Sequence, residues 1–143
     1  MHEQLMPLKI PSGWSVQKNS FFNIAPKSDE DFMANSGCFT EDLLWIQEIE
    51  YRGDRGWISK QDGLSIDLGW YPDSDVDGCY SLHLLRNSWD DIIFNQKTKD
   101  RYLIQALIDQ ILFLASNHRS QLTSENLANF AASWPIAAAH AST

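Results

Sequence analysis

The tightest constraint on this chain is a pair of alternating runs joined by a turn. Leu64, Ile66, Leu68 and Trp70 interleave with Ser65, Asp67, Gly69 and Tyr71, the period-two pattern of a strand with one buried face. Pro72-Asp73-Ser74-Asp75-Val76-Asp77-Gly78 is dense in turn formers, and Tyr80, Leu82 and Leu84 then resume the alternation through Arg86. The two runs predict an antiparallel hairpin. A slip of one residue would send every apolar side chain to the wrong face, so the apolar sets must align Ile66 with Leu84, Leu68 with Leu82 and Trp70 with Tyr80. That register sets Asp67 opposite His83 on the other face.

A half-buried sheet needs a cover. Leu103, Ile104, Leu107, Ile108, Ile111, Leu112 and Ala115 recur at three- and four-residue spacing, giving one broad apolar stripe on a helix over residues 98–116 with Thr98 as its expected cap. Hairpin and helix together predict an α+β fold: an antiparallel β-sheet packed against a C-terminal amphipathic helix. At 143 residues the chain suffices for a single domain with one core and hardly for two. That core is expected over residues 10–116, with residues 117–143 adding a further helix and a loosely held tail.

Elsewhere the pattern is less sharp. Trp14, Val16 and Lys18 alternate with polar residues, and Phe21-Phe22-Asn23-Ile24 continues the extended reading up to Pro26, which makes a first strand. Residues 27–37 read as a loop with one helical turn begun at Ser28-Asp29-Glu30-Asp31. Over residues 40–51 Leu43, Ile46 and Ile49 fit a helix, while Trp45, Ile46, Ile49 and Tyr51 favour a strand. The strand is chosen because Arg52-Gly53-Asp54-Arg55-Gly56 looks like a hairpin turn into Trp57-Ile58. Asn87-Ser88-Trp89-Asp90 reads as a turn, and residues 124–133 as a weaker second helix ending before Trp134-Pro135.

Charge narrows the function. Nineteen acidic against eleven basic side chains leave −8, and residues 29–91 alone carry −11. Such a field repels nucleic-acid phosphates and anionic membranes and steers a basic partner, although solubility alone would also account for an acidic protein. Neither a nucleic acid nor a membrane is expected as partner. Pro7, Lys9 and Pro11 interrupt the only apolar stretch near the start, so no export signal is expected, and residues 106–115 are too short to span a bilayer. Cys38 and Cys79 read as reduced thiols of a cytoplasmic protein.

Three constellations compete for chemistry. Asp73, Asp75, Asp77 and Gly78 match the first half of a calcium loop, but Leu84 stands where the closing Glu belongs, so calcium is expected to bind weakly or not at all. Four histidines show no metal-ligand pairing, and no metal or cofactor is expected. Asp67 facing His83 could do acid–base work, and with the carboxylates of Asp73, Asp75 and Asp77 it defines a rival reading as a small hydrolase. The same pair more commonly stabilises a sheet surface, with the carboxylate favouring protonated His83. No complete set of nucleophile, base and oxyanion donors is visible, which favours a protein that binds over one that turns over substrate.

A resemblance is carried by Ile10-Pro11-Ser12-Gly13-Trp14-Ser15-Val16 with Asn19 and Phe21, by Phe39-Thr40-Glu41-Asp42-Leu43-Leu44, and by Ile66-Asp67-Leu68-Gly69-Trp70-Tyr71-Pro72 followed by Asp77-Gly78-Cys79-Tyr80. With the Asn87-Ser88-Trp89-Asp90 turn and the helix after Thr98, the chain resembles a family of bacterial immunity proteins encoded beside polymorphic toxins, including those of contact-dependent growth inhibition. The likeness covers roughly residues 10–115. It implies a cytoplasmic, non-catalytic protein that neutralises a cognate toxin domain by covering its active or substrate-binding surface. Many such toxins are nucleases with basic clefts, which suits the acidic segment. The candidate toxin-binding set is Glu48, Glu50, Asp54, Asp67, Tyr71, Asp73, Asp75 and Asp77. Within the resemblance, Gly69-Trp70-Tyr71 reads equally as architecture: Trp70 inward, Gly69 relieving crowding, Tyr71 outward.

Overall fold

The computed structural model describes residues 3–29 and 32–134. In chain order it has β1 (Trp14–Asn19), the two-residue partners β2 (Ser28–Asp29) and β3 (Phe32–Met33), β4 (Leu44–Arg52), β5 (Gly56–Ser59), β6 (Leu64–Tyr71), β7 (Cys79–Arg86), β8 (Ser88–Thr98), α1 (Arg101–Asn117) and α2 (Ser124–Ala132). Six strands form one antiparallel sheet in the order β1-β4-β6-β7-β8, and β5 pairs with the far part of β4.

The central hairpin has the register that alternation requires: Ile66 pairs with Leu84, Leu68 with Leu82, Trp70 with Tyr80 and Asp67 with His83. Those apolar side chains are shielded from solvent and share one core with Ile104, Leu107, Ile108, Ile111 and Leu112 of α1. Burying each such side chain is worth about 2 kcal/mol, and this is what fixes the helix to one face of the sheet. Trp70 stacks edge-on against Tyr80 and Phe39 at 5.0 and 4.8 Å. The core reaches beyond residues 10–116, because Met6 and Leu127 are also buried in it.

Several local expectations are corrected. The first strand stops at Asn19, whose side-chain oxygen accepts the Phe21 N–H and turns the chain inward; Phe21 enters the core and Phe22 makes a lone bridge to Leu5. Ser28-Asp29 starts a short antiparallel pairing rather than a helical turn, held by Asn35 bonding the Lys27 N–H and the Ala25 carbonyl. Glu30 and Asp31 lie outside the described residues, as do residues 135–143, where the loose tail was expected.

The expected turn at Asn87-Ser88-Trp89-Asp90 shrinks to Asn87 alone, in the left-handed region at φ 65°, and the eleven-residue β8 follows. The missed strand has a physical reason. Its pairing with β7 is broken on both sides of Leu85, so Trp89, Asp90 and Asp91 bulge outward and the alternation is lost. The cap of α1 is Asp100, not Thr98: its carboxylate accepts the N–H groups of Tyr102 and Leu103. Thr98 instead closes β8, and its hydroxyl accepts the Asp100 N–H.

Ahead of β4, Leu43 N–H bonds Leu68 O and Trp70 N–H bonds Thr40 O, so Glu41 and Asp42 together oppose the single residue Gly69. This is a bulge, and Gly69 is what allows it. A Cβ there would strike the Glu41 carbonyl and meet the Tyr71 ring at 2.8 Å. Gly78 likewise lies so close to Trp70 that a Cβ would fall 2.6 Å from the indole nitrogen, which donates to Asp75 O at 2.8 Å. The recurrent Gly69-Trp70-Tyr71 element is therefore packed architecture on its inner side.

Candidate functional site

α1 covers one face of the sheet and leaves the other open. Alternation sends Trp45 and Gln47 of β4, Asp67, Gly69 and Tyr71 of β6, and Cys79, Ser81 and His83 of β7 to that open face. Pairing then lines up one row across five strands: Lys18, Trp45, Asp67, His83 and Asn95. At about 4.8 Å per strand the row is roughly 19 Å long. Trp89, carried outward by the bulge in β8, folds back so that its ring meets His83 edge-on at 4.8 Å.

Aromatic side chains are the most exposed apolar groups here. Trp45, Tyr71 and Trp89 are 45, 40 and 53% exposed. On the arm formed by β4 and β5, Tyr51 and Trp57 pair across the strands at 5.5 Å while both stay more than half exposed. Next to this row an open depression of about 410 Å³ is lined by Tyr71, Cys79, Ser81, His83, Asn95 and Lys97. Cys38 and Cys79 are both free thiols.

The electrostatics of the row differ from the expected ion pair. Asp67 and His83 face each other, yet among the described residues no hydrogen bond or ion pair engages the Asp67 carboxylate. Burial, then the Asp42 charge on the bulge, pushes its pKa up to about 6. His83 moves down rather than up, because burial under Trp89 and then Lys97 disfavour its charged form. The expectation of a protonated His83 is therefore overturned: desolvation of both groups outweighs their mutual attraction. Asn95 Nδ2 sits 3.1 Å from His83 Nε2, while the buried Nδ1 has no partner. With Asn95 donating, the ring is neutral and carries its proton on Nδ1.

The candidate set divides. Asp67 and Tyr71 lie on the open face, and Tyr71 donates its hydroxyl proton to the Glu41 carbonyl at 3.2 Å. Glu50 pairs with Arg52 at 3.2 Å and Asp54 stands 4.0 Å from Arg55, both on the β4–β5 arm. The hairpin-loop carboxylates turn toward their own surroundings: Asp73 accepts the Glu41 N–H and the Ser74 hydroxyl, and Asp75 accepts the Asp77 N–H. Among the described residues no group of three His, Cys, Asp or Glu side chains could hold a metal ion. Asp73 and Asp75 are thus committed to folding the loop rather than gathered with Asp67 and His83.

Glu48 leaves the set altogether. As an even-numbered residue of β4 it points to the core side and is 6% exposed, so it offers no surface to a partner. Four residues belong to the face that the candidate set lacked: Glu41, Asp42, Trp45 and Trp89. Trp45 was within reach of the alternation argument, since a strand over residues 40–51 puts Trp45 and Ile46 on opposite faces. The other three stand on bulges, which break the period that would have placed them. Among the described residues no helix is long and apolar enough to cross a membrane. Compared with known family models, curated proteins and solved structures, the chain matches none.

Proposed function

We propose that this protein is a cytoplasmic immunity protein that binds a basic toxin domain through the open face of its sheet and the β4–β5 arm, without turning over a substrate. The observation that carries this function is the row of exposed aromatics opposite the helix, set among carboxylates. Trp and Tyr are the side chains that most often supply binding energy at the centre of protein interfaces, because each removes a large rigid area from water. Glu41, Asp42 and Asp67 beside Trp45 and Tyr71, and Asp90 and Asp91 beside Trp89, add a field that steers a basic surface toward those aromatics. A toxin acting on nucleic acid presents a cleft built for phosphates, and carboxylates fit where phosphates would otherwise sit. The resemblance of residues 10–115 to immunity proteins supplies the kind of partner.

Titration calorimetry against the basic toxin domain encoded beside this protein's gene tests the function. Binding at nanomolar to micromolar concentration is expected, with Trp45→Ala and Trp89→Ala each weakening it by about 2 kcal/mol. Raising salt should slow association. No heat at micromolar concentrations would overturn the proposal.

A further inference from the structure

We infer that Asp67 is the receiving carboxylate for a planar cation, an arginine side chain of the partner, on the open face between Trp45 and His83. This deepens the proposed function and rests on the open face being a docking surface. Trp45 and His83 are the direct cross-strand neighbours of Asp67 on either side, so their Cβ atoms stand about 5 Å from its own. Trp89 extends the aromatic wall beyond His83. A carboxylate at the centre of an aromatic row matches both faces of guanidinium chemistry: a flat cation that stacks on rings and an N–H fork that meets both carboxylate oxygens. A lysine ammonium uses the charge but not the plane.

What makes Asp67 a socket rather than a structural acid is that the fold does not use it. Among the described residues, every other carboxylate next to it in the argument has a visible task or stands at the rim: Glu48 holds Arg119, Asp73 holds the bulge, Asp100 caps α1. Asp67 is half-buried with no donor. The charged and titratable groups around it are Asp42 and Glu41 on the bulge, Tyr71 on its own strand, His83 on β7, Lys97 on β8 and Lys18 on β1. Neither lysine forms an ion pair with it among the described residues. Lys97 lies two strands from β6, about 10 Å away at the backbone. The raised pKa of about 6 is the cost of holding this carboxylate beside Asp42 without a cation, and a guanidinium placed on it would bring that value down.

The probe is N-acetyl-arginine amide, titrated into the intact protein while the indole N–H signals of Trp45 and Trp89 and the carboxyl carbon of Asp67 are followed by NMR, with N-acetyl-lysine amide as the comparison. Saturable shifts at Trp45 are expected at about 10 mM arginine compound, as fits a single contact pair. The Asp67 titration midpoint should move to lower pH, and the lysine compound should act several-fold more weakly. In Asp67→Asn, shown to be folded by an otherwise unchanged amide spectrum, the shifts should vanish. Equal shifts in Asp67→Asn, equal response to lysine, or no response at Trp45 would each overturn the socket. Trp45 signals that change with protein concentration alone would overturn it too, by assigning the face to a second copy of the chain. Toxin-domain binding without an arginine response would leave the docking surface standing and remove only the socket. An arginine response without toxin-domain binding would do the reverse.

Discussion

Glu48 and Arg119, 71 positions apart, form a two-pronged ion pair with N···O distances of 2.7 and 2.9 Å on the core side of the sheet. The same carboxylate accepts the Leu64 N–H at 2.8 Å and has Lys60 at 3.7 Å. Burial alone would raise the Glu48 pKa, but Arg119, the Leu64 N–H and Lys60 outweigh it and hold the carboxyl below its usual range. A single side chain thereby ties β4 to the start of β6 and to the turn after α1.

Arg119→Ala should therefore destabilise by about 2 kcal/mol, less than the ~3–5 of a fully buried pair because Arg119 is partly exposed and Lys60 remains. Since the folded pKa of Glu48 is lowered, its contribution is present above the unfolded value and is lost as pH falls through the folded one. Urea unfolding of both proteins from pH 7 to pH 3 should show the difference shrinking in acid. A constant difference would mean that Arg119 acts by packing alone.

Asp100 performs two tasks with its two oxygens. One accepts the Tyr102 and Leu103 N–H groups at the start of α1, and the other accepts the Trp134 indole N–H at 2.9 Å. Asp100→Ala should cost about 1–2 kcal/mol through the cap, and it should also release Trp134. Thr98→Ala should cost less, since Thr98 touches only the Asp100 N–H. Thermal unfolding ranks the two, and Trp134 fluorescence reports the release. A larger loss in Thr98→Ala would contradict the assignment of the cap.

Gly69→Ala has no room to be accommodated, because the first obstacle is the backbone oxygen of Glu41 rather than a flexible side chain. Loss of about 2–3 kcal/mol is expected, with the Glu41-Asp42 bulge displaced from the open face. Chemical shifts of the Glu41 and Asp42 amides follow the displacement. Unchanged shifts and stability would mean that the bulge does not depend on that close approach.

What was legible in the sequence follows from period. The β6–β7 hairpin and its register could be read because two long runs alternate without interruption, and α1 because its stripe is unbroken. The strand over residues 40–51 was settled by the turn at Gly53 and Gly56 rather than by its own residues. β8 was hidden because its pairing shifts on both sides of Leu85, and a shifted strand has no single apolar face. The open face was legible only where period survives. Asp67 opposite His83 could be placed, but Glu41, Asp42 and Trp89 reach the face through bulges. The error on Glu48 has the same origin in reverse: a charged residue was assigned outward by its chemistry, whereas alternation with Trp45 assigns it inward, where Arg119 waits.

The last prediction separates two accounts of Asp67 and His83. The folded pKa of Asp67 is raised to about 6, so its charged form is penalised in the folded state above that pH. The penalty disappears as pH falls through 6 toward the unfolded value near 3.8. Asp67→Asn should accordingly stabilise the protein at pH 7, by about 1 kcal/mol once solvent screening of a half-buried side chain is allowed for. That gain should fade below pH 6 and be gone near pH 4. His83 runs the other way: its folded pKa is lowered, so stability from the neutral ring is present above the unfolded value of 6.5 and is lost as pH falls through the folded one. His83→Gln should therefore improve relative to the parent as the solution is acidified. Chemical denaturation of the three proteins between pH 4 and pH 8 reads both slopes. If the pair were a salt bridge, Asp67→Asn would instead cost stability at pH 7 and the cost would vanish in acid. The sign of that one difference decides whether Asp67 stands unpaired in the free protein, as its role in receiving a partner's cation requires.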